Sequence, residues 1–190
     1  MREVLCQFSP KLKIDDEETW IKTENYSFLL HGGMVQYVGH SKFQWDLREE
    51  LTDVFSKVWD CQPTELATSF DGFCYMDGRR GFPPSSIIEI THSDQSPLRN
   101  YIWSVQELLN LNDCGENDGG LVIIPGTHKL HQEFFKKSKA DHPDDQYKFK
   151  PDEKKDHIFQ TAIKVCGKAG DFMMWDSRTF HCKQNPRPIM

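Results

Sequence analysis

Two histidines and one aspartate could do chemistry together in this chain of 190 residues. His92 and Asp94 stand at the end of a β-prone run, in the phrase Thr91-His92-Ser93-Asp94-Gln95. On a strand, residues i and i+2 share a face, so an imidazole nitrogen and a carboxylate oxygen can converge. His181 ends a second β-prone run, Asp171–His181. Its same-face partners at period two are Met173, Trp175, Ser177 and Thr179, the makings of a pocket wall. Two His and one carboxylate from separate strand ends can form a facial triad of the kind that holds non-haem Fe(II). Three ligands on one face leave three cis positions, two for a chelating 2-oxoacid and one for oxygen. One carboxylate leaves the ferrous site at +1, which suits an anionic cosubstrate. A carboxylate at Asp94, where a glycine or alanine would free a position for halide, points to hydroxylation. The bland reading stands beside this one. With eight histidines and 29 acidic residues, a short His-x-Asp pattern also arises by chance.

The elements that must position these groups are short. Residues 1–40 form a polar lead. A helix is expected over 41–60, where Ser41 and Gln44 fit a capping box. Phe43, Leu47, Leu51, Val54, Phe55, Val58 and Trp59 form its apolar stripe. From residue 66 the texture turns to strands: Leu66–Tyr75, Ser86–His92, Tyr101–Leu111, Leu121–Ile124, Ile163–Val165 and Phe172–His181. Turn signals lie at Asp77-Gly78, residues 117–120 and Lys168-Ala169-Gly170. Many short strands with turn punctuation favour a sandwich or jelly roll over a βαβ sheet. A short helix is expected at 129–138, with Leu130, Phe134 and Phe135 on one side. The stretch 139–156, dense in Asp, Lys and Pro, reads as an exposed loop.

Composition narrows the classes. The chain carries 23 basic and 29 acidic residues, a net charge of −6, without a basic cluster. That argues against a general nucleic-acid binder. Thirteen Phe and five Trp are too aromatic for a disordered chain. No apolar run approaches the length of a membrane span, so no membrane partner is expected. Residues 1–20 lack the apolar centre of a signal peptide, which makes a cytoplasmic protein the expectation. The six cysteines form no Cys-x-x-Cys pair, so reduced thiols are expected rather than a zinc knuckle.

Longer phrases carry a resemblance. They are Gly39-His40-Ser41 with Gln44-Trp45-Asp46-Leu47-Arg48, Ser69-Phe70-Asp71-Gly72, and residues 91–97 around His92 and Asp94. They continue in residues 118–129, which contain Gly119-Gly120-Leu121-Val122-Ile123-Ile124-Pro125-Gly126-Thr127-His128, and in 170–181, which end at His181. In this order, over roughly residues 19 to 187, the chain resembles the phytanoyl-CoA dioxygenase family. The resemblance implies a mainly β fold, a double-stranded β-helix (a cupin-like jelly roll) with flanking helices. It implies one oxygenase-like domain over 1–190, with the jelly-roll core at 66–190. The implied activity is Fe(II)- and 2-oxoglutarate-dependent hydroxylation of a small organic substrate, with His92, Asp94 and His181 as catalytic iron ligands. Gln106 is implied to contact the oxoacid, with an ordinary polar position on a half-exposed strand as the open alternative. Gln106, Arg187 and Trp175 are the expected cofactor-binding residues, and Trp175, Tyr75 and Gln106 are expected to line the pocket. His128 falls in a structural motif and is not expected to ligate.

The family anchors the far carboxylate of 2-oxoglutarate with an arginine after the second histidine, usually ten residues or more downstream. Arginine suits this because its planar fork makes two parallel charge-assisted bonds. Here the candidate is Arg187, six residues after His181, between two prolines. The expectation is therefore a shortened form of a longer oxygenase, with Arg187 acting from a loop as the other possibility. Arg178 is expected in a salt bridge, and Arg79 and Arg80 in a solvated turn. Two rival functions stay open. One is a metal-binding jelly-roll protein without catalysis. The other is a cupin-type hydrolase or isomerase, which would keep its activity with zinc.

Overall fold

The structure is a computed structural model. It describes all residues except 28, 31–32, 37, 83–90, 100, 103, 139–145 and 188–190, and at 29–30 the backbone alone. The chain divides into two compact units, Met1–Arg80 and Gly81–Met190.

The first unit buries a small core made from short elements. Helices α1 (Arg2–Phe8) and α2 (Glu18–Ile21) contribute Leu5 and Trp20, which join Leu12, Tyr26, Val35 and Val38. Trp20 and Tyr26 are large enough to fill this core, and both settle their polar atoms on backbone. The Trp20 indole donates to the Lys13 carbonyl at 2.7 Å and the Tyr26 hydroxyl to the Trp20 carbonyl at 2.6 Å. Strands β1 (Leu29–Leu30), β2 (Met34–Val35) and β3 (Phe73–Cys74) form an antiparallel sheet in that order. Gly72 permits the close approach of β3 to β2, since a Cβ there would lie 1.6 Å from the Val35 carbonyl oxygen. Tyr75, expected at the pocket, packs against this core with its ring 5.6 Å from Trp20.

Helix α3 (Lys42–Trp59) falls where the apolar stripe placed it, but its ends differ from expectation. Ser41 is the N-cap without a side-chain bond, so the Ser41–Gln44 capping box does not form. Gln44 turns inward instead and is buried. The helix ends at Asp60 in the left-handed conformation (φ 50°), ahead of the Cys61-Gln62-Pro63 stop. The stripe is half-buried at Leu47, Leu51 and Phe55, while Val54, Val58 and Trp59 stay exposed. The two motif phrases meet here. Arg48 donates to the Gly39 and Ser69 carbonyls, its guanidinium lies over Trp45, and Phe70 packs on His40 at 4.1 Å. Of the expected strand 66–75, only β3 forms. Arg79 pairs with Asp77 and Glu17, and Arg80 lies over the Tyr26 ring, so both are more engaged than a solvated turn requires.

The second unit is mainly β. Strands β4 (His92–Ser93), β5 (Val105–Leu109), β6 (Gly120–Ile123), β7 (Tyr147–Lys148), β8 (Ile163–Lys164), β9 (Phe172–Asp176) and β10 (His181–Gln184) are all antiparallel. They form a five-stranded sheet, β7-β4-β10-β6-β8, and a ribbon, β5-β9. Among the described residues these sheets do not close into one. Most of the expected strand Ser86–His92 lies outside the described residues. An aromatic core of Phe135, Tyr147, Phe149, Phe159 and Phe180 with Ile124 joins the sheet to helix α4 (Thr127–Ser138). Phe135 is buried and Phe134 half-buried as expected on α4, but Leu130 is exposed and His131 is buried instead.

Two expectations are corrected in this unit. The run 171–181 is not one strand. Asp176 ends β9 because its carboxylate accepts from the Arg178 backbone N–H at 2.9 Å, and the Thr179 N–H closes the turn on its carbonyl at 2.8 Å. The chain thereby passes from the ribbon to the five-stranded sheet. The stretch 139–156 is not wholly an exposed loop. Tyr147 and Phe149 are buried, and β7 pairs with β4. The expected Lys168–Gly170 turn does form, with Gly170 at φ 90°.

Candidate metal centre

His92 and His181 meet because β4 and β10 are antiparallel neighbours in which these two residues are direct partners. In-register partners point to the same face. Their rings lie 4.5 Å apart. Asp94 follows β4 and completes the group. Its Oδ1 is 3.3 Å from His92 Nε2 and its Oδ2 is 3.3 Å from His181 Nε2. All three ligand atoms lie within 4.8 Å of one another, and among the described residues no other such group of three exists.

The donor set fits a divalent metal. The Nδ1–H of His181 donates to the Thr179 carbonyl at 2.8 Å, which turns Nε2 toward Asp94 as the ring nitrogen that can ligate. A ring nitrogen facing a carboxylate at this distance needs a cation between them, either its own proton or a metal ion. Ligands about 2.1 Å from one metal and at right angles to each other are about 3 Å apart, near the spacing seen. Burial works to raise the Asp94 pKa, but the His181 and His92 imidazoles outweigh it. The carboxyl is held well below the usual range. It is therefore an anion ready to ligate at neutral pH.

The ribbon supplies the next layer. Gln106 and Trp175 are direct partners in the β5–β9 pair. Gln106 Nε2 donates to Asp94 Oδ2, and the Trp175 ring stands edge-on to His181 at 5.5 Å. Two of the three expected pocket residues are thus at the cluster, with Gln106 on the aspartate, while Tyr75 packs on the Trp20 core.

Arg187 is not brought there. It lies six residues past His181, beyond the end of β10, and its N–H bonds the Asn117 carbonyl at 2.8 Å. At a rise of roughly 3.3 Å per residue that is about 20 Å along the chain. Its side chain is exposed. Arg178 makes the expected salt bridge, to Asp176 at 2.5 Å. His128 stays outside the cluster.

Sequence reasoning missed the clamp that holds the two ligand-bearing segments together. Gln95, 2% exposed, donates from Nε2 to the carbonyls of Arg99 (2.8 Å) and Tyr101 (2.7 Å). Its Oε1 accepts from Ser177 Oγ at 2.8 Å, and its backbone carbonyl meets His131 Nε2 at 3.1 Å. The one signal for it was position, a large amide next to a ligand.

Fold and donor set define a class: antiparallel β proteins with a candidate mononuclear site of two histidines and one carboxylate. Comparison with known proteins then points to a family. The phytanoyl-CoA dioxygenase (PhyH) profile matches residues 90–182, just under half of the chain, and this segment contains all three donors. The chain is 32% identical over 182 residues to "Ava biosynthesis cluster protein O" of Aspergillus versicolor, covering 87% of this chain and 56% of that one. It is 28% identical over 93 residues to a protein of Dictyostelium discoideum named as a phytanoyl-CoA dioxygenase, covering 49% of this chain and 26% of that one. The chain thus spans about half and about a quarter of the lengths of these curated relatives. No solved structure gives a significant match. No helix among the described residues is long and apolar enough to cross a membrane.

Proposed function

We propose that this protein is an Fe(II)- and 2-oxoglutarate-dependent dioxygenase that hydroxylates a small organic substrate in the cytoplasm. The observation that carries the reading is the convergence of His92, Asp94 and His181 on one point inside the segment that matches the family profile. In this reading the sheet and the ribbon are two walls of a double-stranded β-helix, and residues 1–190 act as one oxygenase-like domain. Bound ferrous iron with 2-oxoglutarate would supply the oxidation of a C–H bond.

The chain's own residues do the rest. His92, Asp94 and His181 would hold the metal. The Thr179 carbonyl fixes the His181 tautomer. Gln106 orients Asp94, and Trp175 walls the site beside His181. Arg187 is too remote to take the far carboxylate. Lys148, the direct partner of His92 across the β4–β7 ladder, offers a positive charge on the cluster's face instead.

The test is release of succinate from 2-oxoglutarate by iron-loaded protein. Release that needs iron and is lost in Asp94→Ala supports the reading. Iron binding without release would refute it. The remoteness of Arg187 favours one second reading, a metal-binding protein without catalysis. Calorimetry showing iron affinity but no 2-oxoglutarate affinity would select it.

A further inference from the structure

Two buried polar atoms at the cluster have no hydrogen-bond partner among the described residues: Oε1 of Gln106 and Nε1 of Trp175. Both belong to side chains that face the metal ligands, and the two residues are direct partners across the ribbon. Their side chains therefore lie side by side, with Cβ atoms about 5 Å apart. Native proteins seldom leave such atoms unpaired, because desolvation without a partner is costly.

The polarity of the pair is fixed. The Gln106 amide must direct its NH2 at Asp94, because the reverse orientation would set a carbonyl oxygen against a carboxylate. Its oxygen is left as an acceptor. The indole N–H of Trp175 can only donate. The ribbon thus carries one donor and one acceptor on neighbouring side chains beside the metal ligands. A carboxylate would satisfy the indole but be repelled by Gln106 Oε1. A ketone would satisfy the indole and leave Gln106 unpaired. A hydroxyl or a carboxamide satisfies both.

We propose that Gln106 and Trp175 form a recognition doublet for a neutral substrate group that both donates and accepts, an alcohol or a carboxamide, held next to the metal. This goes beyond the dioxygenase reading and rests only on the His-Asp-His cluster being the active centre. It also gives Gln106 a role different from holding an oxoacid carboxylate.

The test uses Zn(II)-loaded, nitrogen-15-labelled protein and three probes of similar shape: hexanamide, 2-hexanone and hexanoate. The Trp175 indole resonance is identified by its absence in Trp175→Phe. Hexanamide should shift that resonance downfield and bind roughly fivefold to tenfold more tightly than either other probe, the worth of one added hydrogen bond. In Gln106→Leu at saturating zinc, the advantage over 2-hexanone should vanish. In Trp175→Phe, which keeps the shape, hexanamide affinity by calorimetry should fall by a similar factor. Hexanoate or 2-hexanone binding as tightly as hexanamide would overturn the proposal, as would an indole resonance unmoved at saturating hexanamide. Absence of 2-oxoglutarate turnover with these shifts intact would sink the dioxygenase reading and leave the doublet standing.

Discussion

Replacing Gln95 by leucine removes three hydrogen bonds at nearly constant volume. The Ser177 hydroxyl, 2% exposed, loses its acceptor, and the Arg99 and Tyr101 carbonyls lose a shared donor. A buried group left unpaired costs about 1–3 kcal/mol, and the two carbonyls, being part-buried, fall at the low end. The expected loss is about 3–5 kcal/mol of unfolding free energy, a large share of the ~5–15 kcal/mol typical of a domain. The metal should feel it too. Gln95 adjoins Asp94, and Ser177 stands four residues before His181, so the bond between them sets one ligand segment against the other. Zinc affinity of the folded variant should drop at least about tenfold, the scale of outer-layer effects at metal sites. Urea unfolding gives the first quantity and competitive zinc titration the second. A double-mutant cycle with Ser177→Ala should show coupling above about 0.5 kcal/mol. A variant within about 1 kcal/mol of wild type and with unchanged zinc affinity would refute the clamp.

Four more outcomes are expected. Gly72→Ala places a Cβ against the Val35 backbone oxygen and should cost the first unit at least about 3 kcal/mol. Gly126→Ala, at φ 80° but in open space, should cost only about 1 kcal/mol by urea unfolding. The Glu17 carboxyl is lowered from 4.5 to about 2 by its hydrogen bonds to Arg2 and then Arg79. Its contribution is thus complete above pH 4.5 and lost as the pH falls toward 2. Glu17→Gln should flatten the acid limb of the urea midpoint, and an unchanged limb would exclude that network as its source. Burial pushes the Cys182 thiol up to about 11, so at pH 8 its thiolate fraction is on the order of 10⁻³. Iodoacetamide labelling followed by mass spectrometry should find Cys182 far slower than the exposed Cys166, and equal rates would contradict its burial.

The donors were legible because period-two spacing is local: His92 and Asp94 carry their geometry in their own phrase. Helix α3 was legible from its stripe, but not its cap, since whether Ser41 or Gln44 turns outward depends on distant packing. The break at Asp176 was hidden because a turn of local side-chain bonds can sit inside a β-prone run without Gly or Pro. The burial of Tyr147 and Phe149 had a signal, the alternation Tyr147-Lys148-Phe149-Lys150, masked by the surrounding charge. The distance between Arg187 and the cluster followed only from the ladder of β10 on β6, which no window of sequence contains.

The pairing of His92 with His181 across one rung has a consequence for assembly. Sidedness alternates along a strand, so sliding β10 past β4 by a single residue would send His181 toward the aromatic side and replace it with Cys182 or Phe180. Under the proposed metal-binding reading, loading would act as a checksum on strand alignment. A chain that had paired wrongly would keep most of its sheet yet forfeit the cation, and a bound cation would hold the correct rung shut.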